Sequence, residues 1–333
     1  MSEIDVPAPS STVNISMRLV VLSLLTLIST CTFAQNREVL GEYKIGIIGR
    51  DQEDAIYQAA HLGAQNAARA LSQKYSIDVE LLVLTPDKTQ GDSQSGALGM
   101  LFVEDADGLI ISPSDSDNIR SAVEFASEAG QSIIFFEESL KGIQPLASVV
   151  ADETEAGRLA AQAILPKLPT QARVAVLTSA VDDERVQARL KGVREVLGYK
   201  RIEKIVATQP DYRSAIETIR QTIEADRNHY IQGWIFLDDW PLLGMPALPW
   251  KAGKLPCVAI QSSPSAFIYI DQGYVDALVV HPYYDWGYQS MEILVNKLYR
   301  GIDPDTTTLT TEPRVVDWRN VEDYRQNWKS WLR

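Results

Sequence analysis

Histidine, cysteine and positive charge are all scarce in this chain: 333 residues hold three histidines and two cysteines, and 31 lysines and arginines face 44 acidic residues for a formal net charge of −13. So large an acid surplus excludes the electrostatic footprint of a nucleic-acid binder and of a protein that rests on an anionic membrane. Three histidines without an HxH or HExxH spacing give no reason to expect a metal centre. The acidic run Asp182-Asp183-Glu184 lacks the alternating oxygen ligands and the glycine of a calcium loop, and reads as a solvated turn that caps the next helix. No GxSxG elbow, phosphate loop or GxGxxG follows any predicted strand; the first strand ends Gly46-Ile47-Ile48-Gly49-Arg50, which cannot cradle a pyrophosphate. No cofactor is expected, and no enzyme activity. Repeats of solenoid length and low-complexity linkers are missing too.

A membrane-spanning run is also missing, but a shorter apolar one is present. Leu19 to Ile28 follows Arg18 and precedes Thr32-Phe33-Ala34, the order of a cleaved export signal with small residues at the two positions a signal peptidase reads. Residues 1–34 are therefore expected to be removed, with Met17 as the functional start and Gln35 as the first mature residue. The rival reading makes Leu27-Ile28-Ser29-Thr30-Cys31 a lipobox with a lipid anchor at Cys31. Either way the chain is expected to be exported, with the periplasm as its expected destination. Residues 1–34 carry Glu3, Asp5 and Arg18, one net negative charge, so the mature chain stands at −12. Cys257 then has no intrachain partner, and its place in Pro256-Cys257-Val258-Ala259-Ile260 is that of a buried strand residue.

From Tyr43 onward, short apolar runs alternate with amphipathic stretches of helical length, the pattern of parallel sheets covered by helices. Strands are expected at 44–48, 77–84, 108–111, 132–136, 172–177, 201–206, 233–237, 257–260 and 277–280. Helices fall between them: over 55–71 one face collects Ile56, Ala59, Ala60, Gly63, Ala64, Ala67 and Leu71, and 152–168 and 183–197 behave similarly. Asp115-Ser116-Asp117 is the expected cap of another helix. The proline-rich stretch Trp240 to Pro256 reads as a remodelled loop. A mature chain of about 300 residues exceeds what one core usually serves, so two domains are expected.

An open parallel sheet binds ligand beyond the carboxyl ends of its strands. The residues found there are polar and aromatic together: Arg50 to Tyr57, Ser112 to Asp115, Glu137-Glu138, Thr178 to Arg189, Gln209 to Arg213, Asp238 to Trp240, Gln261 to Ser263 and His281 to Trp286. Carboxylates and amides bond hydroxyl groups in fixed directions, and flat rings cover the C–H faces of a sugar or polyol. His281 suits a neutral imidazole bonding a ligand or a hinge carbonyl. Trp286 either shields the ligand or anchors a hinge.

Four stretches, Gly63-Ala64-Gln65, Ile111 to Asp117, Gln209-Pro210-Asp211-Tyr212, and Asp238-Asp239 followed by Leu243-Gly244, resemble the periplasmic solute-binding proteins of the ribose/galactose type, in unbroken order from Tyr43 to Trp318. The resemblance implies a periplasmic binding protein type 1 fold: α/β, two Rossmann-like lobes with parallel sheets flanked by helices, joined by a three-crossover hinge. The crossovers are expected near Ala151, Gln261 and His281-Pro282. The N-terminal lobe would comprise 43–151 plus 282–312, and the C-terminal lobe 152–281 plus 313–333. It further implies stacking aromatics at Tyr57 and Tyr212 and polar ligand contacts at Asp54, Glu137, Glu138, Gln187, Asp238, Gln261 and His281. The chain departs from the family where Glu137-Glu138 replaces an Asp-Arg pair. It departs again at Gln187, where an arginine is expected that Arg185 or Arg189 would supply after a small shift. The cleft thus reads as rich in carboxylates and poor in guanidinium, a site for a sugar, a polyol or an amino-bearing analogue.

The same resemblance implies a monomer that hands its small-molecule ligand to a membrane ABC permease, or reports it to a sensor receptor or histidine kinase. The family also resembles the ligand-binding part of lactose-repressor-type regulators, but an export signal stands where a helix-turn-helix would be. One enzymatic reading survives, with Glu137 and Glu138 as an acid/base pair. Neighbours on one strand end point in different directions, which makes them a poor opposed pair.

Overall fold

The computed structural model describes residues 39–87, 93–114, 116–244 and 248–332, with Gly41–Arg333 forming a single contact unit. The expected export signal, Met17, Cys31 and Asp115 lie outside the described residues. In chain order the elements are β1 (Glu42–Ile48), α1 (Ala55–Tyr75), β2 (Asp78–Val83), α2 (Gln94–Val103), β3 (Gly108–Ile111), α3 (Asp117–Glu128), β4 (Ser132–Glu137), β5 (Ala147–Ala151) and α4 (Glu153–Ile164). Next come β6 (Arg173–Thr178), α5 (Glu184–Leu197), β7 (Ile202–Ala207), α6 (Tyr212–Ala225), β8 (Ile231–Phe236), β9 (Cys257–Ile260), the short α7 (Phe267–Asp271), β10 (Ala277–Val280), α8 (Tyr283–Arg300), β11 (Thr308–Thr311), β12 (Arg314–Asp317) and α9 (Val321–Trp331).

The strands form two six-stranded sheets with the orders β11-β5-β4-β3-β1-β2 and β12-β10-β9-β8-β6-β7. The first is parallel throughout, and the second is parallel except for its edge, where β12 runs antiparallel to β10. Central strands such as Gly-Leu-Ile-Ile of β3 and Cys-Val-Ala-Ile of β9 are buried along their whole length. They carry no alternating polar residues because helices cover both faces. The two sheets repeat one topology, so β1, β3 and β4 of the first correspond to β6, β8 and β9 of the second. Each sheet reverses its winding beside the first strand of its set, which is where a crevice opens at the carboxyl edge.

The helices that leave this edge are capped by their own sequence. Asp54, Ser93, Ser116, Asp152, Asp183 and Asp211 each precede a helix and accept from a first-turn backbone N–H, which ends each loop at a fixed point. In the second lobe α4 and α5 cross at Gly157 and Gly192, where a methyl group on either would collide with the partner's backbone. That approach sets Glu153, at the start of α4, against Arg189 of α5.

The chain passes between the lobes from β5 to α4, from β10 to α8, and from β11 to β12. Gln261 is not a crossover: it follows β9, and the next strand, β10, pairs with β9 in the same sheet. The third passage lies at Glu312-Pro313 instead, between two short strands that the apolar pattern does not single out. β11 is Thr-Leu-Thr-Thr, mostly exposed at a sheet edge, and an exposed edge strand carries no burial signal. The helix expected over 152–168 stops at Ile164 and continues as a 3-10 turn over Leu165–Lys167, because Pro166 cannot donate to the α-helical ladder. The loop after β8 lays Trp250 in a stack on the buried Trp234, centroids 6.1 Å apart.

Candidate functional site

Between the carboxyl edges of the two sheets, charges of alternating sign form a continuous row. Glu137 is 94 % buried at the end of β4 and accepts from Tyr57 Oη at 3.0 Å and Ser112 Oγ at 2.6 Å. Arg50, two residues beyond β1, lies 3.9 Å from Glu137 and 2.8 Å from Glu138. Glu138 Oε1 is 3.7 Å from Arg185 Nε of the opposite lobe, and Arg185 Nη2 is 3.8 Å from Asp238 Oδ1. Asp238 accepts from Arg189 Nη1 at 2.9 Å, and Arg189 closes a two-pronged pair on Glu153 at 2.6 and 2.9 Å. His281 ends the row with Nε2 3.5 Å from Glu153 Oε2.

Burial and pairing compete along the row. Burial alone would raise Glu137, but Arg50 and Arg185, with the Ser112 and Tyr57 hydroxyls, hold it below the usual carboxylate range. Glu153 is likewise held far down, by Arg189 and His281 against its burial. Asp238 goes the other way, its burial outweighing both arginines. Away from the arginines, Asp54 and Asp239 approach from opposite lobes. Burial, then Asp239 and Glu137, push Asp54 up to about 6, and burial raises Asp239 although Ser263 N–H donates to it at 2.6 Å. Several groups keep unused capacity: Arg50 Nε, Arg185 Nε, Thr178 Oγ1, Asp238 Oδ2 and both ring nitrogens of His281 are buried without a hydrogen bond among the described residues. Buried polar atoms in that condition cost free energy, and along this row they leave donors and acceptors open to further hydrogen bonds.

Of the residues singled out from sequence, Glu137, Glu138, Arg189, Asp238 and His281 come together in the row, and Asp54 caps α1 beside it. Tyr57 joins it through its hydroxyl. Its ring is buried, edge-on to Phe136 at 6.3 Å and pressed on Gly49, so it orients Glu137 and is not an open stacking surface. Gln261 closes β9 with φ 68°. Tyr212, the first residue of α6, is half-buried with its ring against Gly244 and near Tyr269. Gln187 is not in the row: it sits on the outer face of α5, exposed, and donates to Val181 O. Arg185 and Arg189 are four positions apart, about one helical turn, so both arginines face inward while Gln187 faces out.

The expected poverty of guanidinium is corrected by the same geometry, for Arg50, Arg185 and Arg189 all reach the row. Sequence reasoning does not select Arg50 or Glu153 as ligand contacts. Arg50 is legible as a charged residue two positions beyond β1; Glu153 carries no local signal, because only the α4–α5 crossing brings it to the cleft. Trp286 anchors the hinge. It is 1 % exposed, its Nε1 donates to Thr311 Oγ1 at 2.9 Å, and Thr311 Oγ1 donates to Val150 O at 3.1 Å, which ties all three interlobe passages together. His281 lies against Trp286, ring centroids 5.7 Å apart.

Comparison with known proteins matches residues 45–301 to a family model described as a periplasmic binding protein domain. The ribose import binding protein of Bacillus subtilis is 23 % identical over 159 residues, 48 % of this chain and 50 % of that protein, so the match spans about half the relative's length. A periplasmic ribose ABC transporter structure from Conexibacter woesei superposes with a TM-score of 0.73 at 19 % identity, covering 86 % of this chain and 96 % of the other. A Caulobacter myo-inositol binding protein with bound myo-inositol gives 0.68 at 19 %, covering 84 % and 95 %. These likenesses show the two-lobed fold. Among the described residues no helix is long and apolar enough to cross a membrane.

Proposed function

The chain belongs to the periplasmic binding protein family, and from that premise we propose that it captures a small hydroxylated ligand, a sugar, polyol or amino-bearing analogue, between its lobes. The observation that carries this reading is the set of buried, unbonded donors and acceptors on Arg50, Arg185, Thr178, Asp238 and His281. A hydroxyl group both donates and accepts, so adjacent hydroxyls can satisfy a carboxylate and a guanidinium together. Glu138 and Asp238 accept from the ligand, Arg50 and Arg185 donate to it, and Glu137, Gln261, His281 and Asp54 complete the wall. The names of similar proteins, which bind ribose and myo-inositol, favour the same class. Tyr212 is the ring left to cover an apolar ligand face.

Binding without turnover fits the chemistry of the row. Glu137 is committed to Tyr57 and Ser112 while Glu138 turns to Arg50 and Arg185, so the two carboxylates do not oppose one another across a bond to be broken. Delivery to an ABC importer from the periplasm is the accompanying role, with closure of the lobes as the signal. A thermal-shift screen against sugars, polyols and amino sugars tests the reading, since a ligand that binds the native state raises the midpoint by mass action. A shift that disappears in Asp238→Ala is expected; no shift with any compound would remove the sugar assignment.

A further inference from the structure

Among the described residues, two ion pairs join the lobes. Arg185 of α5 meets Glu138 of the opposite lobe inside the cleft at 3.7 Å, and at the rim Lys141, three residues beyond Glu138, reaches Glu184, the neighbour of Arg185. The two sides are complementary in sequence: Glu138 and Lys141 on the loop after β4 face Arg185 and Glu184 on the first turn of α5, so each side offers one charge of each sign. The inner pair is largely shielded, with side-chain exposures of 18 % and 29 %, whereas the rim pair is open at 78 % and 73 %. Arg185 is also 3.8 Å from Asp238 of its own lobe. Its guanidinium is therefore held between lobes with neither carboxylate at hydrogen-bond distance, and its Nε is buried without a bond.

We infer that these four residues form an electrostatic latch, by which the chain's own charges, already in the absence of ligand, set how far the two lobes close. A pair in water is weak, but a crossed set of two that can form only when the lobes meet adds directly to the closure equilibrium. Because the rim pair is solvated, salt screens it, and ionic strength becomes a control on closure and thus on affinity. The crossed arrangement also fixes register: sliding the lobes past one another by one position would set Lys141 against Arg185 or Glu138 against Glu184.

The latch is tested without any ligand, so its failure is separable from failure of the binding reading. Small-angle scattering of the purified protein, with no compound added, is measured at 20 and 500 mM NaCl (about 20 and 3–5 Å of screening length), for the wild type, Lys141→Glu, Glu184→Lys and the double swap. The rim residues lie outside the binding row, so these variants leave the cleft chemistry intact. The latch predicts a radius of gyration that rises with salt in the wild type, is already raised at low salt in either single variant, and returns to the wild-type value and salt response in the swap. Thermal melts of the same variants check that they fold. A radius indifferent to salt, or single variants as compact as the wild type with no rescue to make in the swap, would overturn it.

Discussion

Glu137 and Gln261 close corresponding strands of the two sheets, β4 and β9, and both do so in the left-handed region, with φ of 66° and 68°. Neither is a glycine, and L-residues pay about 1–2 kcal/mol to sit there. The strain falls in both lobes on a residue at the cleft, the pattern expected where a side chain is kept for its function at some expense of stability.

Replacing Gln261 by glycine should therefore stabilise the protein by about 1 kcal/mol in a urea melt, after allowance for the added freedom of the unfolded chain, while weakening ligand binding. Loss of stability in Gln261→Gly would mean that its side chain makes a contact worth more than the strain.

Arg189 is the charge on which the second lobe depends. It is 1 % exposed and serves both Glu153 and Asp238, so Arg189→Met leaves two buried carboxylates without their cation. The expected cost is about 3–5 kcal/mol, read by chemical denaturation. Gln187→Ala, two residues earlier on the exposed face, should stay within about 0.5 kcal/mol of wild type and bind ligand normally.

Acid should stabilise the protein before it harms it. Asp54 is raised to about 6, with Asp238 and Asp239 also raised. Each of these opposes folding when ionised, and the penalty is relieved as pH falls through the raised value toward the unfolded value of about 4. Glu137 and Glu153 are lowered, so their contribution is complete above the unfolded value and is lost only under stronger acid. The melting midpoint should rise from pH 7.5 to about 5 and fall below about 4. Asp54→Asn keeps the helix cap and should flatten the upper limb; an unchanged slope there would show that Asp54 is not its source.

The hinge makes a separate demand. Trp286→Phe deletes the donor to Thr311 Oγ1 and leaves that hydroxyl only its bond to Val150 O, uncoupling one of the three passages, which should cost about 1–2 kcal/mol. The substitution should also change how ligand affinity responds, since hinge packing sets the closure equilibrium. A variant with wild-type stability and affinity would show that Trp286 only fills space.

Much of this architecture is legible in the sequence alone. The buried runs at 108–111, 257–260 and 277–280 define strands because an apolar run of about four residues is too short for a buried helix and suits a doubly covered parallel strand, and the carboxyl ends of the strands hold most of the row. What stays hidden depends on tertiary contact. β5, β11 and β12 are short, and two of them owe their pairing to an edge. Glu153 reaches the cleft only because Gly157 and Gly192 let α4 and α5 meet. Gln187 falls outside the cleft because which residue of a helical turn faces inward is decided by the neighbouring helix, and the guanidinium expected to be scarce is present at Arg50, Arg185 and Arg189.

The most direct test is calorimetric titration of a ligand found by the thermal-shift screen into wild type, Glu138→Gln of one lobe and Asp238→Asn of the other. A ligand clasped between the lobes should lose about tenfold or more in affinity from either side, each substitution removing a hydrogen bond to a charged group. If only one of the two substitutions weakens binding, the ligand is held by a single lobe and the clasp between them is wrong.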